Sequence, residues 1–221
     1  MYQTRFAMMI LAGAAFFGPP AAAQQDGAAS GPAEAVQTPA PQDDLLRQAR
    51  DLFEATRGEA CDGSRFGEDP RPDIYTMTFR PSYADDDAPL EEATLIRFFC
   101  GAGAYNETHA YVLHTAFDGL RRLSFAEPEL QIRHEDEDTE KPVEEMRIIG
   151  FTAQPVLVNS EFVAEDHAIL SHAKWRGLGD ASSTGLWLFR DGDFSLVRYE
   201  VDPTYDGEIN PETVLDYYSA P

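Results

Sequence analysis

The sequence predicts a mainly β, α+β domain, an antiparallel sandwich or barrel of short strands with one N-terminal amphipathic helix. Three observations carry this. Beyond Cys61 the apolar residues come in short runs broken by Pro, Gly and Asp, too short and too often alternating for helices. Asp191-Gly192, the dipeptide that most favours a type I′ turn, sits between two such runs. Only Asp43 to Arg57 places its apolar residues at spacings of three and four.

The chain opens with Arg5, an apolar run from Phe6 to Phe17 and an Ala21-Ala22-Ala23 stretch, the composition of a secretory signal peptide cleaved before Gln24. The run is shorter than the roughly 18 to 20 residues that span a bilayer, so no membrane anchor is expected after cleavage. Residues 24 to 42 are built from Ala, Gly, Pro, Gln and Ser with one large aliphatic residue, Val36, and read as a flexible tether. A single globular domain is then expected over 43 to 221.

Within that domain, Leu45, Leu46, Ala49, Leu52 and Phe53 form the helix stripe, preceded by acidic residues and followed by Gly58. Tyr75, Met77 and Phe79 alternate with polar neighbours, and Ile96, Phe98 and Cys100 share one face of the next run. Tyr105 to Phe117, Arg122 to Phe125, Met146 to Phe151, Val156 to Val158 and Ala168 to Trp175 continue the series. Leu186 to Phe189 and Phe194 to Val201 flank Asp191-Gly192. About eight strands follow from this, with the helix on their side or end. Pro211 to Tyr218 fits either a last short helix or an edge strand.

The 39 acidic residues outnumber the 17 basic ones, giving a formal net charge of -22. Such a surface repels phosphate backbones and anionic headgroups, which excludes nucleic acid and membrane surfaces as partners. It suits a protein kept dispersed in a saline exterior, or one that captures a basic envelope or extracellular protein. The acids are densest in Asp85-Asp86-Asp87 with Glu91-Glu92, and in His134 to Glu145. Neither has the fixed ligand spacing and turning Gly of a calcium loop. Cys61 and Cys100 are the only cysteines, and in an exported chain they are expected to form a disulfide.

No motif supplies a reaction. Ser171-His172-Ala173-Lys174 matches the SxxK string of serine acyl-transferring enzymes, but on a strand positions 171 and 174 face opposite sides. His109 and His114, and His167 and His172, are five apart, which likewise separates them on strands. No cofactor and no metal site are expected. The most distinctive stretch is Trp175-Arg176-Gly177-Leu178-Gly179-Asp180. Its glycines suit a tight connection with positive φ, and Asp180 can hold such a turn through nearby amides. Functionally, Trp175, Arg176 and Asp180 would make a recognition spot, because a guanidinium beside an aromatic ring binds carboxylates or sugars.

These residues resemble a family of exported, mostly proteobacterial proteins, domain-of-unknown-function family 1176. The likeness spans about Leu95 to Pro221. Lys174 with Arg176-Gly177-Leu178-Gly179-Asp180 matches the family's Lys-Gly-Arg-Gly-x-Gly-Asp pattern, and Cys100 to Asn106, CGAGAYN, resembles its second signature, a cysteine followed by Ala-Tyr-Asn. Trp175 stands where the family has glycine. Ala181 replaces a cysteine, and Tyr205-Asp206-Gly207 replaces a later Cys-Arg-Gly, a joint loss expected if relatives pair those cysteines. The resemblance implies a periplasmic address and no established activity.

The resulting expectation is a periplasmic, non-enzymatic binding protein of the cell envelope, with Tyr105, Asn106, Trp175, Arg176 and Asp180 as candidate binding residues. Two other readings stay open. One is an envelope hydrolase or transferase with a site near Tyr105, Asn106, Arg176 and Asp180, and the other is a calcium-stabilised structural domain.

Overall fold

A computed structural model of the chain describes residues 41–56, 61 and 71–217. The expected signal peptide, and the expected tether as far as residue 40, lie outside the described residues.

Helix α1 (Pro41–Thr56) starts two residues inside the stretch read as tether. Pro41 suits a first turn, where its missing N–H would have no partner anyway, and Asp43 and Asp44 favour the positive end of the helix. Among the described residues twelve strands follow, more than the eight expected, because several are only two to five residues long. A first sheet has the order β1 (Asp73–Phe79), β2 (Glu91–Ala102), β3 (Glu107–Thr115) and β4 (Gly119–Arg122), with β7 (Leu157–Val158) also pairing with β3. A second sheet runs β12 (Glu212–Asp216), β11 (Asp193–Asp202), β10 (Ser182–Arg190), β9 (Ala168–Lys174) and β8 (Glu161–Val163). β5 (Phe125–His134) and β6 (Val143–Gln154) form a two-stranded ribbon. All pairings are antiparallel.

Neither sheet closes on itself, so the fold is a sandwich rather than a barrel. Ala93, Leu95, Tyr111 and Leu113 of the first sheet meet Ile169, Trp187, Phe189 and Phe194 of the second in the central core. The other face of β2 and β3 carries Ile96, Phe98, Ala110 and Val112, which lie under α1, where Phe53 stacks on Phe98 with centroids 4.6 Å apart. Burial on both faces makes β2 and β3 read as nearly continuous apolar runs, not as alternating ones. Cys61 and Cys100 form the expected disulfide in this outer layer. Further along the second sheet the ribbon takes over as cover: Leu130, Met146 and Ile148 pack on Tyr199, Val201 and Leu215.

Two local readings change and one left open is settled. Arg122 to Phe125 is a junction between β4 and β5, not a strand. The stretch Ala168 to Trp175 ends as a strand at Lys174, which leaves Trp175 at the start of the following loop. Pro211 to Tyr218 contributes β12 and no helix, because Leu215 fills the edge of the core beside Tyr199. The Asp191-Gly192 turn forms as read, with φ of 50° and 80°.

Candidate functional site

β9 and β10 are joined by the loop of residues 175 to 181, and its chemistry centres on Arg176 and Asp180. Arg176 Nε donates to Asp180 Oδ1 at 2.7 Å, and Nη2 donates to Asp180 Oδ2 and, at 2.8 Å, to the Tyr205 carbonyl. Asp180 Oδ2 also accepts the Gly207 N–H at 2.9 Å. The Asp180 side chain is 1% exposed. The bidentate guanidinium, followed by backbone N–H groups, holds its carboxyl well below the usual carboxylate range. Gly179 supplies the one positive φ of the loop, +78°, over the methylenes of Lys174.

The aromatic partner differs from the one expected. The Arg176 guanidinium lies 5.1 Å from the centroid of the Tyr205 ring. Trp175 turns inward, donating from Nε1 to Ser183 Oγ at 3.3 Å and packing with the Tyr199 and Val201 cluster. Tyr205 carried no signal beyond its place in the resemblance, where it stands for a cysteine. Ala181 and Tyr205 lie on the two segments that the Arg176 and Asp180 contacts tie together.

Tyr105 and Asn106 come from the turn between β2 and β3 and reach the same loop. The Tyr105 hydroxyl donates to the Trp175 carbonyl at 3.2 Å, and its ring lies against Gly177. Asn106 Nδ2 donates to the Lys174 carbonyl at 2.8 Å, and its Oδ1 accepts from Lys174 N–H and Asn159 Nδ2. Asn159, at φ 42°, completes the knot by donating to the His172 carbonyl and accepting the Glu107 N–H. It was missed, although asparagine is among the few residues that adopt this conformation readily. All five candidate residues therefore gather at one end of the sandwich, yet the polar groups of this cluster are engaged with one another and with backbone.

Other reactive side chains are similarly occupied. Ser171 Oγ donates to the Val158 carbonyl at 2.8 Å, so the SxxK string is a strand pattern. His109 faces the core while His114 lies on the opposite face of β3, as the spacing of five requires. His109 Nδ1 sits 3.4 Å from Ser160 Oγ, which accepts from the Tyr111 hydroxyl at 2.8 Å. Burial, then the charge of Arg97, lowers the His109 pKa to about 4, and burial pushes Tyr111 up to about 12. Ser160 is itself buried, so this trio is closed to substrate. Among the described residues no group of three or more His, Cys, Asp or Glu side chains is placed to share a metal ion.

Two grooves are lined by none of the five candidate residues. A groove of about 610 Å³ lies between the first half of α1 and the outer face of the first sheet, with Leu46, Ile74, Ile96 and Leu120 on its floor and Asp44, Glu92 and His114 around it. A second, of about 510 Å³, joins the β5–β6 turn to the segment after β11 and is lined by Glu140, Asp202, Asp206, Glu208 and Glu212. Tyr205 N–H donates to the Thr139 carbonyl at 2.9 Å and pins the two segments. The exposed run Glu135 to Glu137 adjoins it, with Asp136 and Glu137 at positive φ.

Comparison with known proteins places the chain in a family. Residues 18–212 match the family described as "Protein of unknown function (DUF1176)", so the chain belongs to it. The match reaches further towards the N-terminus than the stretch from Leu95 on which the resemblance rests. An Escherichia coli (strain K12) protein, "Uncharacterized protein YpfG", is 27% identical over 178 residues, covering 80% of this chain and 44% of that protein. The chain thus spans less than half the length of this relative. No solved structure matches. Among the described residues no helix is long and apolar enough to cross a membrane.

Proposed function

We propose that this family member is an exported, non-enzymatic binding protein of the cell envelope, which captures a basic protein partner through the acidic face built from His134 to Glu145 and the segment after β11. The observation that carries the reading is the convergence of two segments, remote in sequence, on one acidic groove with four exposed carboxylates, Glu140, Asp206, Glu208 and Glu212, while the buried Asp202 holds the second segment through Thr204 and Asn210. A chain of net charge -22 adds long-range attraction for a cationic partner, and desolvated pairs at the centre of such a face would fix its register. The disulfide and the N-terminal composition support the exported address. The Arg176 and Asp180 cluster supports a non-enzymatic role, because its charges serve to brace loops.

Native mass spectrometry of the protein drawn from its own periplasm tests this, with denaturing mass analysis of the same sample. The expected result is a mature chain starting at Gln24 that carries a protein partner of basic isoelectric point, released as salt rises. A small-molecule adduct seated at Arg176 and Tyr105, or a chain still bearing its leader, would refute the reading.

A further inference from the structure

The end of β10 away from Asp180 carries a different surface. There the loop after β1, the turn between β3 and β4 and the Asp191-Gly192 turn surround a groove of about 360 Å³. Two aromatic side chains stand on its rim, Tyr83 at 79% exposure and Phe117 at 86%. Glu91, Asp118 and Asp191 line it between them. Isolated exposed apolar residues are ordinary, but two large rings flanking one groove are not.

The loops that present these rings are held firmly. Ser82 N–H donates to Asp191 Oδ1 at 2.7 Å. Ala84 N–H donates to the Pro81 carbonyl and Ala88 N–H to the Asp85 carbonyl, both at 2.9 Å, while Arg80 closes the loop on the Ala88 carbonyl. Arg121 Nη2 donates to the Gly192 carbonyl at 2.9 Å and lies 3.2 Å from Asp193. The Phe79 ring rests against Gly192, where a β-carbon would come within 3.3 Å of it. The scaffold is thus set before any partner arrives, which lowers the ordering cost of binding. Asp118 is only weakly matched, 3.9 Å from Arg121.

We propose that this groove is a docking site for an arginine or lysine side chain of a basic protein segment, whose cationic head would lie over Phe117 or Tyr83 and between the carboxylates. Aromatic faces attract cations, and carboxylates beside them supply the opposite charge. Each part alone is weak, and the two together select a cation that also has an apolar stem. The choice of a cationic occupant rests on the reading of the chain as a binder of basic proteins. The site is separate from the acidic face, at the other end of β10 and β11.

The test is a heteronuclear NMR titration of the ¹⁵N-labelled mature chain with two probes, a short Arg-Gly repeat peptide and chitotriose. The peptide is expected to shift the amide signals of Tyr83 to Asp85, Phe117 to Gly119 and Asp191 to Gly192. Those shifts should persist when Asp136, Glu137, Asp138 and Glu140 are neutralised to amides. They should weaken about tenfold in affinity in Tyr83→Ala/Phe117→Ala, whose side chains support no core and whose Tm should be unchanged. Shifts confined to 134–145 and 202–212 would overturn the groove while leaving the acidic face standing. Groove shifts with chitotriose and none with the peptide would make it a sugar site and overturn the proposal. No shift anywhere with the peptide would defeat both readings.

Discussion

Arg176 meets Asp180 with two N–H donors, one to each carboxylate oxygen, and the carboxylate so held is almost entirely shielded from water. The pair braces the loop after β9 against Tyr205 and Gly207. Removing one partner of a buried pair leaves the other charge without compensation, whereas removing both does not. Arg176→Ala should therefore lower Tm by several degrees, and adding Asp180→Asn should recover part of the loss. Because the Asp180 pKa is depressed, its contribution is full above the ordinary carboxylate range and fades as pH falls. The gap between wild type and Arg176→Ala should narrow on acidification, which thermal melts across pH will check.

His109 sets a second pH dependence. It is buried neutral with a pKa of about 4, against 6.5 for the free side chain. A base with a depressed folded pKa gives stability that is complete above 6.5 and lost progressively as pH falls to about 4, because the unfolded chain takes up the proton first. The loss is roughly 2–3 kcal/mol. Denaturant titrations between pH 7 and pH 4 should show that slope reduced in His109→Gln, with the remainder coming from other groups such as His172, which is shifted the same way.

Gly185 is fixed by its neighbour. Trp187 donates from Nε1 to the Ala126 carbonyl at 3.0 Å, and its indole lies across Gly185, where a β-carbon would fall 2.3 Å from the ring. The indole is buried and cannot step aside. Gly185→Ala should cost about 2–3 kcal/mol in a chemical melt, close to the upper range for overpacking. Gly119→Ala meets no neighbour and should cost only about 1 kcal/mol, from its positive φ of 68°.

The disulfide contributes on its own terms. Cys61 and Cys100 are 39 residues apart, and closing such a loop restricts the unfolded chain by about 4 kcal/mol. Both cysteines are buried beneath α1. Reduction, or Cys61→Ala/Cys100→Ala, should lower the unfolding free energy extrapolated from a denaturant melt by about that amount, and reduced protein should be cleaved faster by protease near α1.

Much of the fold was legible because its signals are local. The α1 stripe, the Asp191-Gly192 turn and the opposite faces of His109 and His114 each follow from periodicity or from one dipeptide. The disulfide was legible because there was one way to pair two cysteines. What was not legible depends on which segments meet. Pro211 to Tyr218 reads equally as helix or strand until Leu215 is placed beside Tyr199. The five candidate residues lie at one end, but their engagement with Tyr205, Gly207 and Asn159 comes from long-range contacts that no spacing encodes. The acidic groove is hidden for the same reason, since Glu140 and Glu208 are far apart in sequence.

The most direct test of the acidic face is paired capture from an envelope extract, with wild type and with a variant in which Asp136, Glu137, Asp138, Glu140 and Glu208 are neutralised to amides, at about 0.05 M and about 0.3 M salt. Wild type should retain proteins of basic isoelectric point at low salt and release them at high salt, and the variant should retain them at least about tenfold less. Equal capture by the two forms, or retention indifferent to salt, would contradict the acidic face as the binding surface.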